Sequence, residues 1–423
     1  MRLIIKNACI PHKDGREEIK SIAVDDGKIV EISEKIENGD SFVDAEGNFV
    51  LPGLIDMDCN ICDPGYENKE DILSVSKAAA RGGFTSITCQ PNTLPVIDNK
   101  TVVNYIISKS KKQASTNIYV YGSMTRGMEC REMAEIGEMV NAGIVGLSDG
   151  GISIPNAFLM RNILTYSKMF GIPVIAMCQD NDIARDGVAN SGRISTAYGL
   201  KGIPKEAEET YVARNIILAE HTRARLHISS VTTKGSVELI RMAKKKGINI
   251  TCETKPHYFT LTDESIKGYN TFAKVSPPLR SKEDVEAIKE GLLDDTIDVI
   301  STGHSPDTIE SKDTEFDLAS FGISSLETAF SISYDALVSK GLMTMGHLCE
   351  KFCKNPAEIL KINGKGRIKE GYDGDIIIFN KNKSYYILPE KFVSKAKYSP
   401  YSGSEICGKL VYTIVKGEIV YSS

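Results

Sequence analysis

The chain has no apolar run that approaches the roughly 20 residues a membrane-spanning helix needs. Its first residues, Met1-Arg-Leu-Ile-Ile-Lys-Asn-Ala-Cys-Ile, are too short and too interrupted for a secretory leader. There is no excess of positive charge either. The net charge is -5, with Lys and Arg interspersed among Asp and Glu, so the footprint of a nucleic-acid or anionic-membrane binder is missing. The one basic run, Lys244-Lys245-Lys246, ends a helical stretch before Gly247, where cations complement the helix dipole. Histidine is scarce, with six in 423 residues. Cys59-Asn-Ile-Cys62 lacks the second such pair that a four-thiolate zinc site requires, because Cys349 and Cys353 are spaced by three. The pair also precedes Asp-Pro-Gly instead of opening a helix, as a redox pair would. Ten cysteines without a leader read as reduced, packed thiols in a cytoplasm.

What the chain does have is length for a large core and a smaller second unit. Leu3–Asn7, Ser21–Asp25 and Lys28–Ser33 read as strands, with a hairpin turn at Asp25-Asp26-Gly27. Asp375–Phe379, Lys409–Val415 and Glu418–Tyr421 repeat that style at the other end. Between them strands alternate with helices, including stretches at Asp71–Ala80, Arg131–Ala142, Asn156–Phe170, 205–221, 234–246 and 282–292. Counting from Ile55 to Ile300 gives about eight strands, which suits a closed parallel barrel with chemistry at its C-terminal strand ends. The expectation is an α/β chain: a TIM-like (β/α)8 barrel over 51–365, and a small β-sandwich domain built from both termini, 1–50 and 366–423.

The first barrel strand is the stretch Leu51-Pro-Gly-Leu-Ile-Asp56-Met-Asp58-Cys-Asn60-Ile-Cys62-Asp-Pro-Gly65. It resembles the dihydroorotases and related cyclic amidohydrolases, where the motif runs Pro-Gly-x-Ile-Asp-x-His-x-His-x-Arg-x-Pro-Gly. Further matches follow in order: Gly82-Gly-Phe-Thr-Ser, Pro91-Asn92, Ser148-Asp149, Pro256-His257-Tyr, Pro277-Pro-Leu-Arg280, Phe321-Gly-Ile, Leu326-Glu-Thr, Asn355-Pro-Ala and Gly371-x-Asp-x-Asp375. The resemblance implies the amidohydrolase type of barrel. In active members, metal-activated hydroxide, with zinc the usual metal, opens or closes a dihydropyrimidine ring.

The same resemblance marks what this chain has exchanged. Asp58 and Asn60 stand at the paired metal histidines, Met177 at the His of strand four, and Ser230 at a ligand His of strand five. Asp149 and His257 remain at metal positions. Gly303 replaces the catalytic Asp and can neither ligate nor take a proton. On the substrate side the matching residues are Cys62 for the carboxylate-clamping Arg, then Asn92, Ser276 and Asp307. Packing is expected for Cys59 and Cys178, Cys62 is the thiol to test, and His257 and His304 are expected as hydrogen-bonded core residues.

Three readings follow. The resemblance implies a degenerate member without catalysis, kept as a scaffold for aspartate transcarbamoylase, since catalytically dead relatives assemble with that enzyme. The alternative is an active cyclic amidohydrolase interconverting N-carbamoyl-aspartate and dihydroorotate at a rewired site, motivated by Asn92, Asp149, His257 and His304; separately, Asp58, Asn60, Asp149 and His257 together are the candidate set for a single hard divalent cation. The third is a sensor for a small cyclic amide or carbamoyl-amino acid. No cofactor is expected under the first reading; a homo-oligomer in the cytoplasm is expected under all three.

Overall fold

The computed structural model describes residues 1–423. Eight parallel strands form the central sheet: Leu54–Cys59, Phe84–Cys89, Asn117–Ser123, Gly146–Ser148, Val174–Met177, Leu226–Ser229, Ile250–Thr254 and Val299–Ile300. They pair in chain order. Strand one meets strand eight through a parallel bridge from Cys59 to His304, extended by the Asn60 N–H donating to the His304 carbonyl at 2.9 Å. Buried Asp56 strengthens that seam by accepting from the Thr302 N–H at 2.7 Å and its hydroxyl at 2.6 Å. The sheet is thereby curled into a barrel, with helices outside.

The helices form where the local chemistry directs. Ile72–Gly82 starts from an Asp71 capping box and stops at Gly83 in the left-handed conformation. Ala157–Phe170 is capped by the Asn156 side chain, and Lys234–Lys245 by Thr233. Arg131–Ala142 is a correction. Only Ile136–Ala142 is helical, because Gly127, Met128 and Cys130 take positive φ and the segment folds back through a bridge from Thr125 to Met133.

The termini build a second eight-stranded sheet. Leu3–Pro11, Glu17–Asp25, Lys28–Ser33, Ser41–Asp44 and Phe49–Pro52 come from the start of the chain, and Ile376–Tyr386, Glu405–Val415 and Glu418–Ser422 from its end. The two groups join where Ile376–Phe379 runs antiparallel to Phe49–Pro52. Leu3, Ile5, Ile22, Val24, Val50, Ile376, Ile378 and Ile414 share its core. No helix is long and apolar enough to cross a membrane.

A loop from Ser305 to Ile323 crosses the barrel mouth. It is anchored beneath by the buried Lys312 ammonium, which donates to the carbonyls of Lys274 (3.2 Å), Ser320 (2.8 Å) and Gly322 (3.0 Å). That anchor holds Phe321, Gly322 and Ile323 against the pocket below.

Candidate active-site pocket

The C-terminal strand ends surround a cavity of about 250 Å³. Asp58, Asn60, Asn92, Met177, Ser230, His257, Ser276 and Gly303 all line it. Strand one delivers Asp58 and Asn60; Met177 ends the fifth strand, Val174–Met177, and Ser230 follows the sixth, Leu226–Ser229, at φ 58°, each one strand later than the sequence placed it, because the short strand Gly146–Ser148 is the fourth.

The centre of the pocket is a residue that the sequence reading passed over. Lys255 is buried, and its ammonium lies 2.5 Å from Asp58 Oδ2 and 3.3 Å from Glu253 Oε1. The Ser301 hydroxyl is 3.4 Å away. Asp58 turns its other oxygen to the Gln90 amide, which donates at 2.8 Å. Glu253 accepts from the Ser229 hydroxyl at 3.0 Å, and its second oxygen lies 3.5 Å from His227 Nε2. Burial alone would raise the Glu253 carboxyl, but Lys255, then His227 and Ser229, hold it down to about 2. Burial likewise opposes charge on Lys255, yet Asp58 and Glu253 keep it above the ordinary lysine value. The arrangement is therefore the Lys255 ammonium set between two carboxylates, those of Asp58 and Glu253.

Gly303 belongs to this arrangement. It has φ +61°, and a Cβ placed on it would lie 2.3 Å from Lys255 Cδ and 2.5 Å from Cε. The glycine is more than a lost aspartate: the space that a side chain at 303 would fill holds the lysine stem.

Several expected site residues lie elsewhere. Asp149 is buried behind the pocket, accepting from the Ser123 hydroxyl (2.8 Å), the Met124 N–H (2.6 Å), the Thr125 N–H (3.2 Å) and the Thr125 hydroxyl (2.6 Å). Burial raises it to about 6, against those hydrogen bonds. Its role is to fix the turn after Asn117–Ser123. Asp307 pairs with Lys69 at 2.9 Å and accepts from the Thr308 N–H at 2.8 Å, outside the cavity. Cys62 is also outside it, with its thiol facing the Asn60 carbonyl at 3.8 Å. Burial, then the nearby Glu70 charge, pushes that thiol up to about 12. Native protein is therefore expected to leave Cys62 unmodified by iodoacetamide at pH 8; mass-spectrometric detection of rapid labelling there would contradict its placement. His304 is fully buried outside the cavity lining, with Nδ1 accepting from the Ser325 N–H at 3.3 Å and Nε2 3.6 Å from Glu70.

The donor set does not fit a zinc ion. No three or more His, Cys, Asp and Glu side chains converge anywhere in the chain. Of the four residues considered for a hard cation, Asp149 faces away and Asp58 is bonded to Lys255. His257 lines the cavity, and burial, then Lys255, lowers it to about 3, so its ring is neutral. A cation there would have to displace an ammonium that already pairs with Asp58 and Glu253.

That neutral ring carries a pH prediction. The unfolded chain takes a proton at His257 near its ordinary 6.5, and the folded chain only near 3. The unfolded state binds more protons across that window, so the stability this residue contributes is complete above 6.5 and is lost as pH falls, by about 1.4 kcal/mol per unit. Denaturant titrations from pH 7 to 4 should show this acid loss, and His257→Asn should flatten it; an unchanged slope would place the acid sensitivity in other groups.

A model of the dihydro-orotase-like family matches residues 47–236. The dihydroorotase of Acetivibrio thermocellus is 49% identical over 410 residues, 96% of each chain. This chain belongs to the dihydroorotase family. The dihydroorotase of Caldanaerobacter subterraneus subsp. tengcongensis is 46% identical over 422 residues, covering all of this chain and 97% of its own. Among solved structures, the L-hydantoinase (dihydropyrimidinase) of Arthrobacter aurescens superposes with a TM-score of 0.91 at 26% identity, covering 99% of this chain and 96% of that one. The dihydropyrimidinase of Brevibacillus agri, at 22% identity, shares the fold with a TM-score of 0.88, covering 100% of this chain and 95% of that one. The amidohydrolase barrel is thus shared over the full length, and this family member carries Lys255 between Asp58 and Glu253 at the bottom of its pocket.

Proposed function

We propose that this dihydroorotase-family barrel serves pyrimidine biosynthesis without hydrolysing dihydroorotate, as a scaffold partner of aspartate transcarbamoylase. The single observation that carries the loss of catalysis is the Lys255 ammonium against Asp58 at 2.5 Å. Hydrolysis in the family needs a hydroxide nucleophile and a carboxylate that moves its proton. Here the pocket carboxylate is held in an ion pair, the residue at the catalytic position is Gly303, and His257 is the only histidine on the cavity wall. The assignment to the pathway is supported by relatives called dihydroorotase at 43–49% identity. The partner rests on the resemblance to non-catalytic family members.

A metal-dependent hydrolase is the competing reading, and the names of those relatives favour it. It requires Lys255 to leave the site and a metal to take its place. Protein purified from its native host and assayed with dihydroorotate and with N-carbamoyl-aspartate, with added zinc, is expected to show no turnover. Tagged protein from the same host is expected to bring down aspartate transcarbamoylase. Zinc-dependent turnover would overturn the non-catalytic reading; a pull-down free of the transcarbamoylase would remove the partner and leave the rest.

A further inference from the structure

The cavity persists although its chemistry has been exchanged, and its wall has a definite character. The charged side chains lining it are Asp58 and Lys255, and they are bonded to each other. Just behind them Glu253 adds a second carboxylate, so one negative charge is in excess at the floor. The other polar lining groups are amides and hydroxyls, among them Asn60, Gln90, Asn92, Ser230, Ser276 and Ser305. No cation is free to receive an anion: Lys69 is outside and engaged with Asp307, and Cys62 offers no charge. An isolated carboxylate entering such a site would lose its hydration without gaining a cationic partner, and would face the excess negative charge. Amide and hydroxyl groups instead offer paired donors and acceptors to a ligand that has both. The volume of about 250 Å³ admits a small ring.

We propose that the pocket binds a small neutral molecule bearing amide or ureide N–H and C=O groups and rejects the carboxylate-bearing ring that the family's name implies. The inference rests on the non-catalytic reading of the same pocket. The fixed Lys255–Asp58 pair replaces the ligand-facing cation, and specificity moves from charge to hydrogen bonding.

Dihydrouracil and dihydroorotate make a matched pair, because they differ only by the ring carboxylate. Isothermal titration of the full chain with each, at one salt concentration, is expected to show dihydrouracil binding at least tenfold tighter. Ser276→Arg, which places a cation on the wall, is expected to narrow or reverse that preference. Ser230→Phe, which fills the cavity, is expected to abolish heat with dihydrouracil while the melting temperature stays within a few degrees. Equal or tighter binding of dihydroorotate by the unaltered chain would overturn the inference. So would the absence of heat with both dihydrouracil and hydantoin. Both results are distinct from turnover of dihydroorotate, which would instead overturn the non-catalytic reading.

Discussion

Lys255→Met is expected to destabilise the fold by about 3–5 kcal/mol, the cost of breaking a buried ion pair by deleting one partner. Methionine approximates the stem of the lysine, so packing is largely retained and the loss isolates the charge. Without the ammonium, Asp58 and Glu253 face each other across a buried space with no cation between them. Glu253 is fully buried, and what remains beside it is the Ser229 hydroxyl at 3.0 Å and His227 Nε2 at 3.5 Å. Burial then dominates, and the carboxyl rises from about 2 toward the protonated form. The folded state of the variant should therefore gain stability as pH is lowered, in a window where the unaltered chain loses it. Urea unfolding at pH 7 and pH 5 reads both effects. Adding Asp58→Asn to Lys255→Met should recover part of the loss, because the second change removes the charge that the first left unpaired. A loss below about 1 kcal/mol would mean that Lys255 is solvated and that the site does not depend on it.

The second large effect is at Gly303. Gly303→Ala places a methyl group 2.3 Å from Lys255 Cδ, on a backbone at φ +61°. Left-handed strain contributes about 1 kcal/mol and the overpacking about 1–3 kcal/mol more, so a total of about 2–4 kcal/mol is expected. In a Lys255→Ala background the clash disappears and the strain stays, so the same change should cost only about 1 kcal/mol. The difference is a coupling energy that a double-mutant cycle measures directly. Additive effects would show that Gly303 and Lys255 do not share the same space. The coupling also explains why Asp58→His with Asn60→His should give no dihydroorotate turnover. The histidine at 58 would strip Lys255 of its 2.5 Å partner, while the ammonium still held the centre of the pocket.

The barrel was legible because it is written in many local signals that agree. Apolar strands, capped helices and turn glycines recur at one spacing, and each reports the same alternation. The exchanges at Asp58, Asn60, Met177, Ser230 and Gly303 were legible too, since strand ends are fixed in register by the strands themselves, and the structure gathers all five around one cavity. Asp149, Asp307 and Cys62 were not placed, because side-chain direction at a loop is set by partners distant in the chain. Asp149 turns to Ser123 and Thr125, and Asp307 to Lys69. Helix extent failed at Arg131–Glu135, where positive φ at neighbouring residues is invisible to apolar periodicity.

Lys255 is the instructive omission. It follows strand Ile250–Thr254 and precedes Pro256-His257, so it reads as an ordinary polar residue at a strand end. Two signals pointed inward: Glu253 two positions earlier, on the same face of the extended chain, and a glycine at 303 where a larger side chain would stand. Neither is decisive alone. Taken together, an acidic residue at 58, a lysine at 255 and a glycine at 303 form a consistent exchange of a metal-based site for an internal ion pair.

The most direct measurement of that exchange is a crystal of the full chain soaked in zinc, with anomalous diffraction recorded at the zinc edge. No anomalous peak is expected in the pocket, with continuous density for Lys255 ending against Asp58. A zinc peak bonded to Asp58 or His257, with the Lys255 side chain displaced from between Asp58 and Glu253, would contradict it.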